Sequence, residues 1–250
     1  MNQFKIDNNN KQITFLDNRF YVTEDGGYVP SVTTIGDAYP KGPEYFQWLK
    51  KVGEDADSIR NEAGRRGSVV HELTERYDAG EEISLLNDNG RIDFKLSEWS
   101  MFERYVDFRK RFQFDVIYSE MNMVSHKLGF AGTLDRVIQM NGKNYLIDIK
   151  TSNAIYPFYW LQLAAYKKLL MELTKINTID DVAILWLNAK TRTVGKKDAI
   201  QGIGWQLVMR ADEKQEEKDW ELFQATHKLW LAENGEMQPR QMSYTLTHKL

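Results

Sequence analysis

The stretch YLIDIKTSNAIYPFYWLQLAAY, residues 145–166, sets an acid and a lysine two residues apart inside an apolar run. Side chains alternate along a strand, so Asp148 and Lys150 share one face while Ile147 and Ile149 share the other. The preceding GTLDRV places Asp135 thirteen residues before Asp148, with Asn141-Gly142 between them. Asn-Gly is the strongest short hairpin signal, so the two acids are expected side by side on adjacent strands. Close carboxylates repel unless a cation lies between them. Magnesium suits that position, being a hard ion that takes oxygen ligands and keeps several waters. Lys150 faces the same spot, where it can orient or deprotonate a water or offset charge developing on a phosphate. Two acids and a lysine around a metal describe phosphodiester hydrolysis.

Each signal also has a plainer reading. A D-x-K pair on a strand by itself is usually a surface ion pair of small energetic weight. Asp135 across an Asn-Gly hairpin shifts the balance, because unpaired carboxylates facing each other on neighbouring strands destabilise a sheet. Gln162 and Tyr166 stand one helical turn apart and share a face. They reach the phosphate, a base or Lys150, or else Tyr166 is a buried phenol with one hydrogen bond. His71, in RRGSVVHELTERY, is a ligand or an ordinary helical histidine; as a ligand it tilts the site toward manganese without excluding magnesium. Glu120, on the strand before GTLD, is a supporting acid behind the ligands or a common strand charge.

The elements that must hold these residues are legible in outline. Residues 3–35 read as short strands separated by NNN, DN and DGG turns. A short helix is expected over 43–52, with Pro43 near its start, then a longer helix over 54–79 or a pair broken near Gly64 and Gly67. A third helix runs from about Asp93 to Phe112, with Leu96, Trp99, Phe102 and Val106 on one stripe. Strands follow near 115–124, 131–140 and 145–151, then a helix opened by Pro157 and ending near Leu173. Strands at 181–187 and 205–209 and a helix over 213–232 complete the chain. The fold class expected is mixed α/β: a central mixed sheet flanked by helices, with a helical N-terminal layer. No internal repeat or Pro/Gly-rich linker divides it, so one domain is expected, residues 1–115 forming the N-terminal strands and His-bearing layer and 116–250 the sheet core.

Composition narrows the chemistry. With no cysteine among 250 residues, disulfides, thiolate zinc sites and iron–sulfur clusters are excluded. A net charge of −3 gives no global attraction to nucleic acid, so a polyanion would need a local basic patch. The N-terminus MNQFKIDNNNKQ shows no signal or transit pattern and no apolar run approaches membrane-spanning length, which makes a cytoplasmic protein the expectation.

Taken in order, the helical His71 preceded by Gly67, GTLD (132–135), DIKTS (148–152) and QxxxY (162–166) resemble the RecB-type branch of the PD-(D/E)XK nuclease superfamily. VPSVTTIGDAYPKGPEYFQWLKKVG extends the likeness toward a subgroup that includes mitochondrial genome maintenance exonucleases and their phage and bacterial relatives. The resemblance spans roughly residues 29–170. It implies a restriction-endonuclease-like core and a DNA exonuclease of recombination, repair or replication, dependent on one or two Mg2+ or Mn2+ ions. It gives His71, Asp135, Asp148 and the Ile149 carbonyl the metal, Lys150 the catalytic lysine role, and Gln162 and Tyr166 the supporting motif. A structure-specific endonuclease and a non-cleaving DNA-binding module of the same fold remain alternatives. Relatives with an iron–sulfur cluster are excluded by the missing cysteines. No GxxxxGK[ST] motif is present, so unwinding would require a helicase or recombination protein as partner. DNA contacts are expected from Arg65, Arg66, Ser31 and Thr33, and from Lys190 and Arg192 in KTRTVGKK, a possible hairpin tip; these cations also fit plain surface charge. The sequence leaves oligomeric state and digestion polarity open.

Overall fold

The structure is a computed structural model that describes residues 4–7, 12–15, 18–176, 178–189, 204–235 and 237–239. Four short antiparallel strands open the chain: β1 (Phe4–Asp7), β2 (Gln12–Phe15), β3 (Asn18–Val22) and β4 (Tyr28–Pro30). Three helices follow: α1 (Val32–Ile35), α2 (Pro43–Val52) and α3 (Ala56–Asp78), then α4 (Leu96–Arg111). α3 runs unbroken through Gly64 and Gly67, so of the two alternatives the single longer helix is the one present. Its flanks explain this, since good helix formers surround the two glycines, and an isolated glycine costs a helix only about 1 kcal/mol.

The central sheet has five strands in sequence order: β5 (Asp115–Ser125), β6 (Phe130–Met140), β7 (Lys143–Lys150), β8 (Asp181–Trp186) and β9 (Gln206–Met209). β5, β6 and β7 form an antiparallel meander. The β6–β7 turn is the expected Asn-Gly hairpin, with Asn141 (φ 52) and Gly142 (φ 74) both left-handed as a type I′ turn requires. β8 lies parallel to β7, a pairing that needs a crossover, and α5 (Phe158–Leu173) supplies it. β9 returns antiparallel, and α6 (Glu213–Asn234) closes the described core. This is the mixed α/β architecture expected from the sequence.

Both faces of the sheet are covered. Val137, Leu146, Val182 and Ile184 pack with Leu163, Leu169 and Leu170 of α5 and Phe223 and Trp230 of α6. Ile138, Ile147, Ile149, Ala183 and Leu185 pack on Val70 of α3 and Met101, Tyr105 and Phe108 of α4. Each fully buried aliphatic side chain contributes about 1.5–3 kcal/mol, so a sheet sealed on two sides is a stiff platform. Among the described residues no helix is long and apolar enough to cross a membrane.

Candidate metal centre and active site

On β7 the alternation places Ile147 and Ile149 against α3 and α4, while Asp148 and Lys150 turn toward α5. On β5 and β6 the alternation breaks. Tyr118 and Met121 pack on the same cluster although three residues apart, and so do Leu134 and Val137. Strict period two forbids that spacing. The breaks fall at Glu120, whose backbone is left-handed (φ 45), and at Asp135-Arg136. A non-glycine residue held there stores about 1–3 kcal/mol of strain, which the surroundings must over-determine.

The breaks turn side chains into the seam between strands. The β6–β7 ladder runs from Met140↔Lys143 to Arg136↔Ile147, so the next residues are Asp135 and Asp148. There the Asp135 carboxylate takes over the ladder, its Oδ2 accepting the Ile149 amide at 2.6 Å. Its Oδ1 lies 3.5 Å from His71 Nδ1, which is also 3.4 Å from Glu120 Oε1. His71 Nε2 is 3.0 Å from the Ile149 carbonyl. Donor atoms of His71, Glu120 and Asp135 all lie within 4.8 Å of one another. One imidazole, two carboxylates and a nearby carbonyl make an oxygen-rich set that fits a hard divalent ion such as magnesium or manganese.

Asp148 belongs to an adjoining cluster. Its Oδ2 is 2.7 Å from Lys150 Nζ, and Gln162 Nε2 donates to its Oδ1 at 3.3 Å. The same amide donates to the Tyr166 hydroxyl at 3.0 Å, and Lys150 Nζ donates to Gln162 Oε1 at 3.2 Å. Gln162 thus meets the acid and the lysine, while Tyr166 is a buried phenol whose hydroxyl accepts from Gln162. Asp135 and Asp148 sit at the same end of the hairpin with separate hydrogen-bond partners, and Glu120 joins His71 and Asp135 in the donor set.

Electrostatics follow from this placement. Burial pushes His71 down, but the Asp135 and Glu120 carboxylates outweigh it and raise the imidazole to about 9. Burial raises Asp148 to about 6, against the opposing Lys150 charge and with help from Asp135. Burial likewise raises Asp135. Lys150 is also buried, which disfavours its charge, yet Asp148 and Asp135 prevail and raise it above the ordinary lysine value. Lys150 is therefore held as ammonium in the metal-free protein.

The sequence reading missed what holds Glu120. Arg136 is 1% exposed and donates to Asp78 Oδ2 (2.9 Å), Glu120 Oε1 (3.3 Å), Thr74 Oγ1 (3.2 Å) and the Asp135 carbonyl (2.7 Å). Arg109 Nε pairs with Asp78 Oδ1 at 3.0 Å, and the Tyr105 hydroxyl donates to Asp78 Oδ2. The only sequence signal was a charge embedded in LDRVI, since a buried cation requires partners. Gly132 of GTLD gains a reason as well: a Cβ there would stand 2.4 Å from Tyr166 Cε1.

A family model described as PD-(D/E)XK nuclease superfamily matches residues 44–243. The chain belongs to the PD-(D/E)XK nuclease superfamily. The match takes in His71, Glu120, Asp135, Asp148, Lys150, Gln162 and Tyr166, and it begins after the PSVT segment. No curated protein matches the chain. Among solved structures it is similar to Can2 from Sulfobacillus thermosulfidooxidans in complex with cyclic tetra-adenylate, at 8% identity and a TM-score of 0.20. That likeness covers 66% of this chain and 55% of Can2, and it carries no argument about function.

The expected DNA contacts of this PD-(D/E)XK chain are placed unevenly. Ser31 is buried, and its hydroxyl caps α1 by accepting the Thr34 amide at 3.0 Å, so it offers no surface to a polyanion. Thr33 is exposed, with its hydroxyl 2.8 Å from that of Ser31. Arg65 is engaged by Glu62 at 2.9 Å and by Glu98. Arg66 has no ion-pair or hydrogen-bond partner among the described residues, and its Nε is buried. Lys190 and Arg192 lie outside the described residues.

Proposed function

We propose that this chain is a divalent-metal-dependent deoxyribonuclease, acting as an exonuclease on single-stranded or free DNA ends in recombination, repair or replication. The observation that carries the reading is the meeting of an ion-binding donor set (His71, Glu120, Asp135 and the Ile149 carbonyl) with a protonated Lys150 on Asp148. Asp148 stands beside that set, and in this reading it turns from Lys150 to complete it. Magnesium or manganese, when bound, supplies Lewis-acid activation of water and neutralises phosphate charge.

The residues do the rest. Lys150, cationic in the metal-free protein, faces the reaction centre, where it orients the attacking water and offsets charge developing on the phosphate. Gln162 bridges Asp148 and Lys150 and fixes their relative placement, with Tyr166 anchoring Gln162 from α5. The exonuclease assignment rests on the likeness of VPSVTTIGDAYPKGPEYFQWLKKVG to the genome maintenance exonuclease subgroup, and a helicase or recombination protein is the matching partner. The test is digestion of end-labelled linear oligonucleotides and of circular single-stranded DNA with Mg2+ and Mn2+. Cleavage of linear substrate alone supports an exonuclease. Cutting of the circle assigns an endonuclease instead, and no cutting of either overturns the reading.

A further inference from the structure

Two aromatic rings in contact lead from Lys150 to the surface. Its Nζ sits 4.5 Å from the centroid of Tyr159, a contact in which the ring face attracts the ammonium. Tyr159 in turn meets Tyr156 edge to face, with centroids 5.5 Å apart and an interplanar angle of 82°. Tyr156 is 49% exposed and lies in the connection from β7 to α5. About half of this ring is therefore open to a partner from solvent.

The connection that carries it is built rather than loose. Ser152 Oγ donates to the Ala154 carbonyl at 2.7 Å, and Trp186 Nε1 donates to the Ser152 carbonyl at 2.7 Å. Asn188 Nδ2 donates to Asn153 Oδ1 at 3.1 Å, and Pro157 stiffens the entry into α5. Across the seam, α3 comes close at Gly67, where an added Cβ would stand 3.4 Å from Thr151 Oγ1. Arg66, the residue before Gly67, has a guanidinium without a protein partner among the described residues. A fixed exposed ring that leads to a lysine carries the elements that bind single-stranded nucleic acid: bases stack on the ring and phosphates meet the cation.

We infer that Tyr156, braced by Tyr159, is a stacking platform for the unpaired nucleobase next to the scissile phosphate. The inference deepens the nuclease reading and rests on it: it specifies a substrate with a single-stranded end at the site. An unpaired base has a free face for the ring, whereas a base within a duplex is covered on both sides by its neighbours.

The test uses the full chain and a 2-aminopurine-labelled single-stranded oligonucleotide, bound in metal-free buffer and then cleaved with Mg2+. In the wild type the probe fluorescence is quenched on binding. Tyr156→Ala is expected to remove the quench and raise Kd and KM about 10- to 100-fold, the range for one base stacked on an aromatic side chain. Its kcat should stay within about threefold, because the reacting groups are untouched. Tyr156→Phe keeps the ring and should behave as the wild type. Wild-type cleavage with unchanged quench, Kd and KM in Tyr156→Ala overturns the platform and leaves the nuclease reading standing. A wild type that neither binds nor cuts DNA overturns both.

Discussion

Replacing Gly132 with alanine tests whether the helix behind the site is locked to the sheet in front of it. The new Cβ would stand 2.4 Å from Tyr166 Cε1, 3.2 Å from Cζ and 3.3 Å from Cδ1. Carbon atoms rest at about 3.5–4.0 Å, so the ring must retreat by roughly 1 Å. It has nowhere to go, being 4% exposed and packed within the main core. Overpacking of this kind costs about 1–3 kcal/mol. The retreat also draws the phenol from Gln162, whose amide joins Tyr166 to Asp148 and whose carbonyl receives Lys150. Urea denaturation of the metal-free protein should show a lowered midpoint for Gly132→Ala with an unchanged slope. In a Tyr166→Leu background, where no ring stands over the new methyl, the same substitution should cost less, with a coupling energy of about 0.5–3 kcal/mol. Equal costs in both backgrounds, or no cost in the first, would refute the packing argument.

Other expectations follow from the same contacts. Arg136→Met leaves Asp78 and Glu120 without a buried cation they share, and should destabilise the fold by about 3–5 kcal/mol in urea titrations; a loss under about 1 kcal/mol would contradict the role given to this guanidinium. Lys150→Met should abolish cleavage while preserving metal binding, and should push Asp148 above its value of about 6, a change readable by NMR titration of its carboxyl. His71 in the metal-free protein is raised from 6.5 to about 9, so its pairing stabilises the fold fully below pH 6.5 and is lost as pH rises through about 9. Ion binding at His71 must displace that proton, so Mg2+ affinity measured by calorimetry should climb about tenfold per pH unit up to that value and then level off. A flat profile would show that His71 is not a ligand.

Much of this site could be read from local patterns, because the chemistry is carried by elements whose geometry is set locally. Asn141-Gly142 dictates its turn through two left-handed residues, which fixes the β6–β7 register and brings Asp135 and Asp148 to the same end of the hairpin. Period two on β7 correctly sends Asp148 and Lys150 to one side, and one helical turn correctly brings Gln162 and Tyr166 together. The reading failed where the alternation itself failed. Nothing in EMNMVSHKLGFAGTLDRV announces that Glu120 turns left-handed or that period two breaks at Asp135, so the sequence offers Glu120 only as a supporting acid or a common strand charge, whereas its carboxylate stands beside His71 and Asp135. The Arg136–Asp78 pair spans 58 residues and exists only once α3 packs on the sheet. Ser31 was misjudged for a different reason: its hydroxyl serves a helix of four residues, too short for periodicity to reveal.

The central claim is that His71, Glu120 and Asp135 hold a divalent ion at the seam between strands. Calorimetric titration of Mn2+ into the wild type and into Asp135→Asn, each checked for folding by circular dichroism, tests it most directly. The account predicts saturable binding in the wild type and affinity weakened by at least about tenfold in a folded variant. Equal affinity in the two proteins, or no binding in either, would contradict it.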